Sequence, residues 1–474
     1  MSLKSGYLLF AAGIALGMGA QDANAATRQV GTCTSRHPQY MSIQSAVSAA
    51  NSGDVIQICP GVYQEQVVIP QNMTLENVTG MASPTVASPP AGLTANVTDL
   101  YATPTAAQIA VIPTLAPAKV NIKNLIVDGS GNNITTCAID LVGIYYQNAG
   151  GTISGNTAQN QLLPPGYQGC QGGLAISVES ETAGTPTATI TGNTVTNFDK
   201  NGITVGSADS NATITNNIVT GVGATDVTAQ NGIQVGYNAT ARVTGNQVSG
   251  FIYTGPYYGS SGILLYDMQA GSYLAPSRVS GNTVSSSQYG VVLDAVNGAS
   301  GSLVQVKSNI ISGSQFAGVG LYSDPPGGGS DDYIAVLSNT ITNTQPWDDI
   351  DACSDNNHIG LNTISNGGTQ SGTESGIHLD GECTEPDSSA TGTGNTVYKN
   401  QIADACAGIL SGPASGNNTI PGNNSFSDVG TNIVYGSDVC GTPNRQGGGT
   451  KGNAKVGPAR HVQPVAFRKS NGAG

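Results

Sequence analysis

Basic side chains are scarce in the body of this chain. Residues 26–444 carry nine Lys and Arg against 28 Asp and Glu, a charge of about −19. Such a surface repels nucleic acid and anionic membranes, so neither is an expected partner. A second long apolar run is also missing: after Tyr7–Ala20 no stretch is long enough to span a bilayer, and no membrane insertion is expected. There is no C-x-x-C pair among the eight cysteines, which lie far apart, so disulfides outrank a zinc site. Tryptophan occurs once, at Trp347.

What is present at the N-terminus is Lys4, then the apolar run, then Ala23-Asn24-Ala25. These read as a signal peptide over residues 1–25, cleaved after Ala25. The expected location is therefore secreted, periplasmic or cell-surface. All eight cysteines follow the cleavage site; Cys33–Cys59 and Cys353–Cys383 are the pairings expected, although spacing alone leaves the connectivity open. At the other end, residues 445–474 hold six of the 16 Lys and Arg and no acid. That Gly-rich tail has too few apolar residues to fold and is expected to be disordered.

The body is a repeat. Asn followed by x-Val or x-Ile recurs at Asn193, Asn217, Asn246, Asn282, Asn309, Asn339, Asn362 and Asn400, spaced 23 to 38 residues apart. A second phrase lies between them: Asn201-Gly202-Ile203-Thr204-Val205, Asn231-Gly232-Ile233-Gln234-Val235, Tyr289-Gly290-Val291-Val292-Leu293 and Ser375-Gly376-Ile377-His378-Leu379. Apolar and polar residues alternate over about four positions, which is the strand period. Each repeat is then one coil of short strands, burying its apolar face only against the coils above and below. The recurrent Asn is expected at a tight corner, tolerating left-handed backbone and bonding to the next Asn in a ladder. Val55–Ile58 and Val67–Ile69 read as the first strands. Residues 81–117, with prolines at 84, 89, 90, 104, 113 and 117, read as an irregular insertion before regular coils begin near Val120. Ile43, Val47 and Ala50 share one helical face, and that helix is expected to cap the open end of the solenoid.

The segment Ser42-Ile43-Gln44-Ser45-Ala46-Val47 through Gly61-Val62-Tyr63-Gln64-Glu65 resembles the start of pectin-lyase-like right-handed parallel β-helix proteins, including pectin methylesterases with their G-x-Y-x-E phrase. The later coils resemble the broad family of right-handed β-helix repeat proteins. The resemblance covers most of residues 40–435 and implies an all-β fold, a right-handed parallel β-helix (β-solenoid) of about ten coils in one domain, residues 26–444. It does not carry an activity. The D-F-I-F-G and L-G-R-P-W phrases of the methylesterases are missing, as are the N-T-D, G-H-G and R-I-K phrases of polygalacturonases. Trp347-Asp348-Asp349 is distantly similar to the paired Asp of the latter. No lyase-like R-x-P-x-x-R phrase occurs.

One constellation could carry chemistry. Matching Ile350 to Ile377 stacks Asp351 on His378 and Cys353 on Asp380, and places Tyr322, Asp294 and Tyr266 in the same column in earlier coils. Alternation then sends His378, Asp380 and Asp351 outward. The expected acid/base set is Asp348, Asp349, Asp351, His378 and Asp380, because glycoside hydrolysis needs one carboxyl raised in pKa and one ionised. Tyr266, Asp294, Tyr322, Trp347 and Glu382 are the expected sugar contacts, aromatic faces against sugar rings and carboxylates against hydroxyls. Calcium is the one cofactor the acidic set could hold. The expected function is binding or processing of an extracellular polysaccharide or cell-envelope glycan by a monomer. The competing expectation is a non-catalytic structural or adhesin-like rod, with these residues merely solvated on its surface.

Overall fold

The computed structural model describes residues 25–436, apart from 116, 171, 257–258, 269–276, 323–331, 367–373, 381–391 and 413–414. The signal peptide, the basic tail, Glu382, Cys383 and Cys440 therefore lie outside the described residues. Two large sheets account for nearly all of the regular structure. One is a 14-stranded ladder running from Gln39–Tyr40 to Thr396–Tyr398, and the other contains 25 strands. Among the described strands pairing is parallel, save where Val97–Thr98 folds antiparallel onto Pro104–Val111. From Ala118–Lys123 onward the first sheet gains one rung per coil, ten in all.

Stacking follows the apolar period. Ile153, Ile190, Ile214 and Val243 lie in register in successive rungs, and Ile203, Ile233, Ile263, Val291 and Val319 do so across the tube. All are fully buried in one continuous core from Val30 to Ile409. Burying each such side chain contributes about 1.5–3 kcal/mol, so one coil contributes several.

The asparagine ladder forms, with a difference. Asn193 donates its backbone N–H and its Nδ2 to Asn217 Oδ1 at 3.0 and 2.9 Å, and Nδ2 also reaches Ile153 O at 2.9 Å. The same pattern repeats through Asn246, Asn282, Asn309, Asn339, Asn362 and Asn400. Asn156 and Asn424 extend it at either end. The left-handed backbone, however, belongs to the residue before each Asn: Gly192 (φ 64), Ser308 (φ 55), Leu361 (φ 60) and Lys399 (φ 54). The turn is forced even onto residues that dislike it, because the Asn itself must aim its amide down the stack.

The helix forms at Ile43–Ser48, with Ser42 accepting Ser45 N–H as N-cap, and it buries Ile43, Ala46 and Val47. Its contacts are with the strands Thr27–Val30, Gln39–Tyr40, Val55–Ile58 and Val67–Ile69. Glu65 accepts the helix N–H groups of Ile43 and Gln44 at 2.7 and 2.8 Å. The glutamate of the G-x-Y-x-E phrase thus satisfies the helix N-terminus here. Cys33–Cys59 is formed as expected; Cys137–Cys170 is a second disulfide, and Cys353 and Cys406 are disulfide-bonded too.

Candidate functional site

The strands Ser261–Met268, Thr283–Val296, Ile310–Tyr322, Asp348–Cys353 and Ser375–Leu379 stack in parallel and turn three columns of side chains away from the core. Tyr289, Ala317 and Asp348 make the first column. Val292, Gly320, Asp351 and His378 make the second. Tyr266, Asp294, Tyr322 and Cys353 make the third. The register expected from Ile350 against Ile377 is the register observed.

Asp348, Asp351 and His378 consequently converge, each offering an atom within 4.8 Å of the others. Ser375 fixes Asp348, donating its backbone N–H at 2.9 Å and its hydroxyl at 2.6 Å to Oδ1. The other Asp348 oxygen takes His378 Nδ1–H at 3.2 Å. His378 Nε2 stands 4.0 Å from Asp380 Oδ1. On the far side Tyr322 Oη donates to Asp351 Oδ2 at 2.9 Å. Tyr322 is itself buried against Tyr289, 6.1 Å away edge to face, and Tyr289 lies 5.3 Å from Phe316.

Burial and charge oppose one another here. Burial favours neutral His378, but Asp348 and Asp380 outweigh it and push the imidazole up to about 10, so it is a cation at neutral pH. Burial, then repulsion from Asp348, pushes Asp351 up to about 7, partly offset by His378. One carboxyl is therefore poised to exchange a proton near neutrality beside a fixed ion pair, the arrangement general acid/base chemistry requires.

Two expectations need correction. The face is covered rather than solvated: side-chain exposure is 11% at His378, 7% at Asp348 and 13% at Asp380. Asp294 and Tyr322 are buried as well, while Tyr266, Trp347 and Asp351 stay partly exposed. Asp349 does not join the set. Between the paired positions flanking it, Asp349 stands where the neighbouring coils have Gly318 and Gly376. A Cβ on Gly318 would lie 2.5 Å from the core residue Ile341 and 2.7 Å from Asp349 O, so this row turns into the tube and breaks the alternation. Fully buried, Asp349 accepts Asn366 Nδ2 at 2.8 Å, and burial holds its carboxyl well above the usual range. It is a carboxyl of the core, turned away from the outer cluster.

Among the described residues the donors do not make up a calcium shell, which takes six to eight oxygens. Both Asp348 oxygens and Asp351 Oδ2 are already engaged. In the other close group, Asp351, Cys353 and Asp380, the sulfur is tied into a disulfide.

Sequence reasoning missed a second acidic cluster on the same face, several coils nearer the N-terminus. Tyr145 Oη donates to Glu179 Oε2 at 3.2 Å. Burial, with Asp99 adding repulsion, pushes Glu179 up to about 8 and Asp140 up to about 7. Asp99 comes from the irregular segment, which also sends Tyr101 across to Ser207 Oγ at 2.6 Å. Tyr101, Tyr237 and Tyr266 continue as a row of rings about 6 Å apart, at 6.1 and 5.9 Å. Tyr63, by contrast with its place in the motif, only donates to Cys59 O at 2.9 Å.

A family model for the right-handed beta helix region matches residues 124–327. No curated protein matches the chain. Among solved structures, XylC in complex with xylose is similar at 11% identity and a TM-score of 0.54, over 84% of this chain and 86% of that one. The Dettilon tailspike protein gp208 is similar at 16% identity and a TM-score of 0.49, over 83% of this chain; the chain spans 64% of the tailspike's length. A GH136 lacto-N-biosidase from Eubacterium ramulus is similar at 11% identity and a TM-score of 0.48, over 86% and 68% of the two chains. At these identities the likeness concerns the fold alone, a right-handed parallel β-helix.

Proposed function

We propose that this right-handed parallel β-helix protein is exported, by a signal peptide ending at Ala25, and that it binds and cleaves an extracellular polysaccharide on the outer face around Asp351. The observation that supports this most is the pairing of Asp351, a carboxyl pushed up to about 7, with His378 and Asp348 held as an ion pair beside it. In this reading Asp351 donates a proton to the leaving glycosidic oxygen, and Asp380 is the partner that activates water or stabilises the sugar cation. Asp348 positions His378, whose other nitrogen faces Asp380. Tyr266 and Trp347, both partly exposed, supply flat apolar faces for sugar rings. The xylose in XylC agrees with a sugar ligand, although it belongs to that protein.

The test is reducing-end release by the purified protein from neutral, amino-sugar and uronic-acid polysaccharides. Release from one substrate, reduced at least about a hundredfold in Asp351→Asn, is the expected result. No release from any substrate would move the reading to the structural rod. The fully satisfied buried ladder from Asn156 to Asn424 favours that second reading as far as stability is concerned.

A further inference from the structure

Charge is sorted between the two sheets. Among the described residues, Arg28, Lys119, Lys123, Arg242, Arg278 and Lys307 all stand on strands of the 14-stranded sheet. Arg36 follows the first of these strands, and Lys399 sits in the turn after Thr396–Tyr398. Only Lys200 adjoins the candidate face, and its ammonium is spent inside the protein, donating to Ala229 O at 2.8 Å. The face's other cation, His378, is held by Asp348. Against these, the face carries Asp140, Glu179, Asp294, Asp348, Asp351 and Asp380, of which Asp140, Asp351 and Asp380 are partly exposed. An anionic glycan would meet carboxyls and no available cation.

A second observation concerns neutral groups in the same columns. Ser177 and Thr204 share the column of Tyr145, and Ser261 shares the column of Tyr289 and Asp348. The hydroxyls of all three are buried and make no hydrogen bond. Leaving such a group unsatisfied is costly, and it is the usual mark of a site completed by water or a ligand. From these hydroxyls the face runs, coil by coil, to the acidic centre.

Resting on the reading that this face binds a glycan, we propose that the glycan is neutral along most of its length and carries free amino groups, rather than carboxylates, where it meets Asp351 and Asp380. Oxygens of these two side chains lie within 4.8 Å of one another. A protonated amine donates at about 2.8 Å to each acceptor, so one ammonium spans both. Asp351 and Asp380 are also the partly exposed carboxyls of the cluster, whereas Asp348 is covered. A polyuronate is excluded by the same charges that hold the amine.

The experiment is calorimetric titration of the full chain at pH 7, where Asp351 is in part ionised, and 150 mM salt with three soluble oligosaccharides of equal length. They are a fully deacetylated glucosamine oligomer, its N-acetylated counterpart and an oligogalacturonate. Salt at this level screens attraction beyond about 8 Å. The expected result is binding of the amine form at least about tenfold tighter than the acetylated form, with no binding of the oligogalacturonate. Asp351→Asn/Asp380→Asn should lose about tenfold or more for the amine form, and the single Asp380→Asn, in the more open position, a smaller part of it. Asp209→Asn/Asp226→Asn removes the same net charge from exposed sites elsewhere and should lose nothing. Equal loss in the two double variants would reduce the binding to general attraction and overturn the proposal. Acetylated or galacturonate oligomers binding as tightly as the amine would overturn the substrate class while leaving a glycan-binding face. Silence from all three would overturn the glycan reading itself along with the class.

Discussion

Two acidic clusters lie on one face of the same tube, and burial treats them in opposite ways. Around Glu179 no described residue supplies a cation: burial first, then Asp99, pushes Asp140 up to about 7 and Glu179 up to about 8, and the Tyr145 hydrogen bond offsets only part of the rise at Glu179. Around Asp351 a single imidazole changes the outcome. His378 becomes a cation, Asp348 is bound to it, and only Asp351 is left poised near neutrality. Burial alone yields stored neutral acids; burial with one histidine yields a division of labour between carboxyls. The second arrangement is the one that can give and take a proton during a reaction.

Removing the histidine should break this contrast most severely. His378→Ala leaves Asp348 without its ion-pair partner in a covered site, and the expected loss is about 3–5 kcal/mol in urea unfolding, together with all glycan-directed activity. Glu179→Gln replaces a carboxyl that already holds its proton by an amide of the same shape. Its expected effect is within about 1 kcal/mol. If the two variants are equally unstable, the N-terminal cluster is charged at neutral pH and the contrast is wrong.

Stability against pH sharpens it further. A carboxyl whose folded pKa is raised binds more protons folded than unfolded, so its contribution falls as pH rises from about 4 through its folded value. Asp140, Glu179 and Asp351 all have this sign, to about 7 or 8. His378, raised from 6.5 to about 10, stabilises fully below 6.5 and loses that contribution as pH climbs to 10. The melting temperature should therefore fall between pH 5 and pH 9. Asp140→Asn/Glu179→Gln should flatten the part below about pH 8, and His378→Gln the part above. A rise in melting temperature over this range would contradict both assignments.

Much of this was legible before any coordinates. In a parallel coil the sequence offset between two matching phrases is the spatial register, so aligning Ile350 with Ile377 placed Asp351 on His378 without further information. The ladder was readable for the same reason, because every Asn must meet the next one. Asp349 was misread because alternation assumes an unbroken pleat, and the glycine row at that position turns each coil inward. Cover was unreadable too: the period says which way a side chain leaves the core, and nothing about what lies over it. The Asp99–Asp140–Glu179 cluster was invisible because Asp99 belongs to the aperiodic segment 81–117, where no repeat fixes a register. The disulfide expected between Cys353 and Cys383 falls partly on undescribed residues, although Cys353 is bonded.

The finest difference between the clusters is carried by two tyrosines. Tyr322 donates to Asp351 at 2.9 Å and Tyr145 to Glu179 at 3.2 Å, and each hydrogen bond favours the ionised carboxyl. Replacing either by Phe removes one charge-assisted bond, worth on the order of 1 kcal/mol, and should raise the carboxyl it served by somewhat less than a pH unit. Carbon-detected NMR titration of the labelled aspartates and glutamates reads both shifts. The two variants should then part company. Tyr322→Phe moves the pH midpoint of glycan binding upward, because Asp351 must ionise to hold an ammonium. Tyr145→Phe leaves that midpoint where it was, because Glu179 lies coils away and its proton has no part in the contact. Equal displacement by both would mean that the face titrates as one unit, and that the division between a storing cluster and a working one does not exist.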